Sequence, residues 1–171
     1  MEEGDPRWWL DPIDGTKQYV RGLPIWATLI ALDRDGETAC GVVSAPALGH
    51  RWWATRGDGA FRDGEPIRAS EVTSLGDAYV STTTFRAADR FLPLAGRAYL
   101  ARTYPDFWQH VLVAEGSIDA AVEFDLHDWD WKAPKLIVEQ AGGRCTVEPG
   151  LYVSSNASLH DDVLRALLLR A

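Results

Sequence analysis

From Trp26 to Arg68 the chain is a succession of strand-length apolar segments joined by turns too short to hold a helix. Trp26–Leu32 reads as a buried strand, and Asp33-Arg34-Asp35-Gly36 as a hairpin turn built on Asp-Gly. Thr38–Ser44 returns, Pro46–Gly49 turns the chain again, and Arg51–Thr55 follows as a third strand. Gly57-Asp58-Gly59 and Asp63-Gly64 then punctuate two shorter pieces, Ala60-Phe61 and Pro66–Arg68. Short turns between strands make an antiparallel meander. After a polar stretch at Ser70–Gly76 the pattern alternates instead. Strands are expected at Ala78–Thr82, Ala98–Arg102, Ile118–Phe124 and Val153–Asn156. Helices are expected at Ala87–Ala95, Asp106–Glu115, Asp130–Gln140 and Leu159–Leu169. Phe107, Val111 and Ala114 fall at i, i+4, i+7 on the second helix. Gly142-Gly143 stops the third helix, Pro134 sits in its first turns, and Ser158 caps the fourth. The expectation is an α/β (α+β) fold, with an antiparallel β half over 1–72 and an α/β half over 73–171.

At 171 residues the chain is long enough for a substantial core without staples. It carries 17 Lys+Arg against 25 Asp+Glu, a net charge of −8, which disfavours a nucleic-acid partner. No apolar run approaches the ~20 residues of a membrane helix, so no membrane association is expected. The acidic start Met1-Glu2-Glu3-Gly4-Asp5 resembles neither a secretory signal nor a transit peptide. Cys40 and Cys145 are far apart and lack metal-ligand spacing, so they read as small apolar fillers in a reducing cytoplasm. Most of the eight Trp read as core and interface packing.

The chemistry concentrates in Asp11-Pro12-Ile13-Asp14-Gly15-Thr16, directly after the apolar strand Trp8-Trp9-Leu10. Two carboxylates three residues apart, across a proline bend, can point into one pocket with the Ile13 carbonyl between them. Hard cations take such oxygen sets. Gly15 and Thr16 then offer N–H groups and a hydroxyl to an anion if a helical turn starts there. An Asx turn capping a helix is the plain structural alternative, and it suffices for Asp35-Gly36 and Asp63-Gly64. A second constellation holds Glu123 at a strand end, Trp129-Asp130 at a helix start and Glu139-Gln140-Ala141-Gly142-Gly143 at that helix's end. Asp130 suits a helix N-terminus on dipole grounds alone; beside a metal loop it is a candidate third carboxylate. Asp125 and Asp128 are nearby competitors, read as solvated.

These three motifs resemble the inositol monophosphatase family of Mg²⁺-dependent phosphatases, along nearly the whole chain. Further stretches resemble its histidinol-phosphate phosphatase branch: Asp14–Lys17 with Val20-Arg21-Gly22 and Trp26, Gly41–Leu48, Arg51–Ala54, Tyr104–Trp108 and Leu112–Gly116. The resemblance implies a layered α-β-α-β-α sandwich, here without its N-terminal helices, and phosphomonoester hydrolysis. It implies that Asp11 bridges two Mg²⁺ ions, that the Ile13 carbonyl binds the first, and that Asp14 and Asp130 hold the second. Gly15 and Thr16 would bind phosphate, with Thr16 also orienting the attacking water; Asp11, Asp14 and Thr16 are thus the catalytic candidates. Glu123 would contact the substrate's polar body, and Tyr104, Asp106 and Phe107 would shape that pocket. Two-metal hydrolysis would follow, one cation activating water and the other neutralising the leaving oxygen.

The chain departs from the family pattern at its start. Members carry two helices and a hairpin before the hexamer, supplying a Glu-Glu metal pair and an acidic partner for the threonine; here ten residues precede Asp11. Glu2-Glu3 is the candidate replacement, with Glu3 the nominated first-site ligand, since the eight steps to Asp11 reach ~26 Å extended. A disordered acidic terminus is the alternative. Trp131-Lys132-Ala133-Pro134 stand where members have small residues, so Lys132 either intrudes on the metals or points to solvent. A sheet face without its helices should expose apolar surface and favour a homodimer. The preferred substrate is histidinol phosphate, placing the enzyme in histidine biosynthesis; its ammonium and imidazole need acceptors, which Glu123 and Asp106 offer. Inositol monophosphate or a related sugar phosphate is the alternative, and a truncated, catalytically silent member is the reading outside enzymology. A nucleotide phosphatase ranks last, because no aromatic or basic stretch marks a base pocket.

Overall fold

In the computed structural model, which describes residues 5–168, the meander forms one six-stranded antiparallel sheet. Its strands are β1 (Arg7–Asp14), β2 (Ala27–Arg34), β3 (Glu37–Ala45), β4 (His50–Thr55), β5 (Gly59–Arg62) and β6 (Glu65–Pro66), paired in sequence order. A short helix, α1 (Thr16–Val20), follows β1 directly. Asp35 and Gly36 both have positive φ, 53° and 81°, the backbone whose twist suits a two-residue hairpin. Burial alternates most clearly along β2, which buries Ala27, Leu29 and Ala31 and turns Thr28, Ile30 and Leu32 the other way.

The second sheet runs β10-β11-β9-β7-β8. Its strands are β7 (Tyr79–Thr82), β8 (Leu100–Thr103), β9 (Ala120–Phe124), β10 (Gly143–Glu148) and β11 (Leu151–Asn156). β7 pairs parallel with β8 and β9, whereas β11 pairs antiparallel with β9 and β10. Parallel neighbours need crossovers. α2 (Ala88–Ala95) joins β7 to β8, and α3 (Phe107–Ala114) joins β8 to β9. α4 (Asp128–Gln140) and α5 (His160–Leu168) complete the chain.

Two cores hold four layers together. One lies between the sheets, where α3 and α4 bury Phe107, Val111, Leu136 and Ile137 against Leu29, Val43 and Trp52. The other lies where α2 and α5 cover the second sheet through Phe91, Leu94, Leu159 and Val163. Gly41 sets how closely α4 rides on the first sheet: a Cβ there would stand 3.0 Å from Ala133 Cα and 3.1 Å from its carbonyl oxygen. On that sheet's opposite face, Leu10, Ile30, Val42, Trp53 and Phe61 stand in register across five strands. Trp8 and Leu10 are 59% and 57% exposed on it. Among the described residues, no helix is long and apolar enough to cross a membrane.

Several element boundaries differ from expectation. β1 runs on through Pro12 to Asp14; as an edge strand it tolerates the missing N–H, and its register breaks between Asp11 and Asp14. α4 begins at Asp128, so Pro134 is its seventh residue and lies in the interior rather than in the first turns. β10 follows the Gly142-Gly143 stop immediately, where no strand was expected. α5 begins at His160, so Leu159 rather than Ser158 stands at its cap position, and Asn156 Oδ1 accepts from Leu159 N–H at 2.9 Å in the turn that leads into the helix. The expected helix end at Leu169 lies outside the described residues.

Candidate metal and phosphate site

The end of β1 is bent by its own side chains. Asp11 Oδ1 accepts from Ile13 N–H at 3.0 Å, closing an Asx turn around Pro12. Thr16 Oγ1 donates to the Ile13 carbonyl at 2.7 Å, so this hydroxyl finds a donor's partner within the hexamer itself. Asp14 Oδ2 accepts from Phe107 N–H at 2.8 Å, which ties the loop to the start of α3. Gly15 connects the strand to α1 with φ +79°, and a Cβ there would meet the Ile25 carbonyl oxygen at 2.8 Å. Both the backbone sign and the space demand glycine.

Asp130 comes from the first turn of α4. Its Oδ2 accepts from His127 N–H at 2.8 Å, so the helix start fixes the carboxylate as the carboxylate caps the helix. Asp11, Asp14 and Asp130 each place an oxygen within 4.8 Å of the other two. They lie at one side of a cavity of about 440 Å³ whose lining also includes Ile13, Gly15, Thr16 and Lys17.

Glu123 and Asp106 line the same cavity. Glu123 is the penultimate residue of β9, and Thr82, the last of β7, lies with Thr83 and Thr84 along the same rim, at the carboxyl ends of parallel strands whose crossover helices lie on opposite faces. Asp106 precedes α3 with φ 51° and ψ −133°, an unusual backbone for a residue with a side chain. Its Oδ2 is buried without a hydrogen-bond partner among the described residues. Tyr104 is not among the cavity-lining residues: its hydroxyl pairs with that of Tyr79 at 2.7 Å and its ring meets Trp108 edge-on. Phe107 is in the core and reaches the site through its backbone alone. Asp125 and Asp128 are exposed, although Asp125 touches the cavity rim. Lys132 neither intrudes on the carboxylates nor points to solvent; Nζ binds Asp33 Oδ2 at 2.7 Å, between the Trp9 and Trp131 rings. Glu2 and Glu3 lie outside the described residues.

The sequence reading missed His127, Lys17, Gln18 and the Thr82–Thr84 rim. It also missed the Phe107 N–H, because a backbone donor carries no residue signature. The cavity is strongly acidic. Burial, then the charges of Asp106 and Glu123, hold the Asp14 carboxyl well above the usual carboxylate range. Burial likewise raises Asp11 and Asp130, against the opposing Ile13 and His127 N–H groups. Burial and then Glu123 lift Asp106 to about 6. Three desolvated carboxylates and a carbonyl within reach are hard oxygen donors that a divalent cation would relieve of mutual repulsion. The donor set, oxygen ligands only, therefore fits a hard divalent cation.

The chain is similar to known proteins in sequence and in fold. The model of the inositol monophosphatase family matches residues 1–153. A histidinol-phosphatase of Mycobacterium tuberculosis is 42% identical over 179 residues, covering 94% of this chain and 69% of that protein. A fructose-1,6-bisphosphatase/inositol-1-monophosphatase of Thermotoga maritima is 34% identical over 98% of this chain and 70% of its own length. Among solved structures, the Thermotoga maritima IMPase superposes with a TM-score of 0.89 at 33% identity, covering 98% of this chain and 70% of that one. An inositol monophosphatase from Zymomonas mobilis gives 0.91 at 27% identity, covering 98% and 72%.

Proposed function

The chain belongs to the inositol monophosphatase family, a family of metal-dependent phosphatases, and on that premise we propose that it hydrolyses histidinol phosphate with Mg²⁺. The observation that carries this reading is the convergence of Asp11, Asp14 and Asp130 within 4.8 Å. They flank a cavity that also presents Glu123 and Asp106. Asp11, the Ile13 carbonyl, Asp14 and Asp130 are the proposed ligands. Bound there, divalent cations supply positive charge against the phosphoryl oxygens and activate the attacking water.

The chain's own groups do the rest. Gly15 and Thr16 open α1 toward the cavity and offer backbone N–H groups to phosphate. Thr16 has committed its hydrogen to the Ile13 carbonyl, so its oxygen is left to accept from a water and orient it. The Phe107 N–H holds Asp14 in place without adding charge. Glu123 and Asp106 accept from the substrate's amine and imidazole. Two curated relatives at 42% identity carry the name histidinol-phosphatase, which supports this substrate over an inositol phosphate.

Phosphate release from histidinol phosphate and from inositol 1-phosphate, with and without Mg²⁺ and beside Asp14→Asn, tests the proposal. Mg²⁺-dependent release that favours histidinol phosphate and disappears in Asp14→Asn supports it. A folded chain that releases nothing from either ester makes it the silent member of its family. Preference for inositol 1-phosphate reassigns the substrate.

A further inference from the structure

Glu123 is bonded by a buried polar network that hydrolysis itself does not explain. His110 is 1% exposed, Gln109 0% and Ser154 0%. His110 Nε2 lies 2.9 Å from Glu123 Oε2, and Nδ1 lies 2.8 Å from Ser154 Oγ. The imidazole packs against the Tyr152 ring with centroids 4.4 Å apart and the planes tilted by 36°. Gln109 Nε2 donates to the same Glu123 oxygen at 3.2 Å and to Thr83 Oγ1 at 2.7 Å.

Tyr104 N–H can only donate, and it does so to Ser81 Oγ at 3.2 Å. The Ser81 hydroxyl donates in turn to Gln109 Oε1 at 3.1 Å. Glu123 Oε2, as a carboxylate oxygen, accepts, so the Gln109 amide turns its NH₂ toward it and its Oε1 toward the Ser81 hydroxyl. A carboxylate oxygen only accepts, so the His110 hydrogen sits on Nε2 and Ser154 completes Nδ1. Two donors thus engage Oε2, and no described residue bonds Oε1 of a side chain that lines the cavity.

We propose that His110, helped by Gln109, is a positioning residue that pins Glu123 Oε2 and aims Oε1 into the cavity as the acceptor for a cationic group, so that this end of the site selects an amine-bearing phosphomonoester over an uncharged polyol phosphate. The inference rests on the phosphatase reading above and deepens it. His110 touches no substrate; it acts through Glu123. Apolar packing alone would satisfy this stretch of α3 with a leucine or methionine, whereas a buried imidazole bonded at both nitrogens specifies one geometry.

Steady-state kinetics on His110→Leu, His110→Asn and His110→Gln test it, with histidinol phosphate and inositol 1-phosphate as substrates at saturating Mg²⁺. Gln places an amide donor where Nε2 stood; Asn reaches only toward Ser154. Leu and Asn are expected to raise KM for histidinol phosphate about tenfold, with kcat within about twofold. KM for inositol 1-phosphate should change less than about threefold, and His110→Gln should stay near the parent on both. In a Glu123→Gln background, His110→Asn should add no further loss, since the route through Glu123 is already broken. Equal KM changes on both esters, a fall in kcat alone, or full additivity with Glu123→Gln overturns the assignment while leaving the hydrolase reading standing. A parent chain that releases no phosphate from either ester overturns that reading and this inference together. If His110→Leu does not fold, the Asn and Gln pair gives the same answer at conserved polarity.

Discussion

Replacing Lys132 by Met removes one charge from a nearly buried ion pair and leaves the other behind. Lys132 and Asp33 side chains are each 12% exposed, with Nζ 2.7 Å from Oδ2. Removing one member of a buried pair typically costs ~3–5 kcal/mol. Here Asp33 keeps the Trp9 indole N–H at 2.8 Å and the Thr38 hydroxyl at 2.7 Å. Methionine also keeps contact with the Trp9 and Trp131 rings, so the lower end applies, about 3 kcal/mol. For a chain of this length that is a fall in Tm of roughly 6–12 °C. Urea unfolding with metal-free protein reads it. Its pH dependence has a definite sign. Burial pushes the Asp33 carboxyl up, but the bonds from Lys132, Thr38 and Trp9 together outweigh burial and hold it below its usual value. A lowered carboxyl stabilises the fold above the unfolded-state value near ~4 and ceases to do so as pH falls through the folded-state value. The gap between parent and variant should hold from pH 7 to about 5 and close below about 4. A variant within ~0.5 kcal/mol of the parent at pH 7, or a gap that persists in acid, refutes the reasoning.

Other perturbations probe different joints. Gly41→Ala forces Ala133, and with it α4, off the first sheet by a few tenths of an ångström. It should cost ~1–3 kcal/mol in denaturant unfolding and weaken Mg²⁺ binding, because Asp130 moves with the helix. Asn156→Ala removes the acceptor for Leu159 N–H in the turn before α5 and the bonds to Ser70 Oγ and the Val72 carbonyl, at 2.8 and 2.9 Å. A loss of ~2–4 kcal/mol is expected by the same assay. Burial above all raises the Asp11, Asp14 and Asp130 carboxyls. A raised carboxyl penalises the metal-free fold as pH climbs past the unfolded value, and a cation lifts that penalty. The rise in Tm on adding Mg²⁺ should therefore grow from pH 5 to pH 8; a pH-independent rise would contradict it.

The meander was legible because strand spacing and Asp-Gly turns are local signals. The α4 start was read two residues late because Asp130 carries the dipole signature, while Asp128 and Trp129 add no apolar period. β10 hid behind Gly142-Gly143: Arg144, Cys145, Thr146 and Val147 alternate weakly, and their pairing with β11 is set by sheet context. At the site, the hexamer announced its two carboxylates by their spacing. What joins them to α3, the Phe107 N–H, has no side-chain identity to read. Lys132 was misplaced because its partner Asp33 lies 99 residues away, in a turn whose Asp-Gly explanation looked complete. His110 went unremarked because a lone histidine on an apolar helix face carries no signal until its partners on β9 and β11 are known.

Calorimetric titration of metal-free protein with Mg²⁺ tests most directly whether the acidic side chains at 11, 14 and 130 act together. Saturable binding accompanied by proton release, weakened at least ~tenfold in both Asp14→Asn and Asp130→Asn although their unfolding is intact, is the predicted outcome. Binding that survives both substitutions, or none in the parent at millimolar Mg²⁺, would contradict a shared cation site.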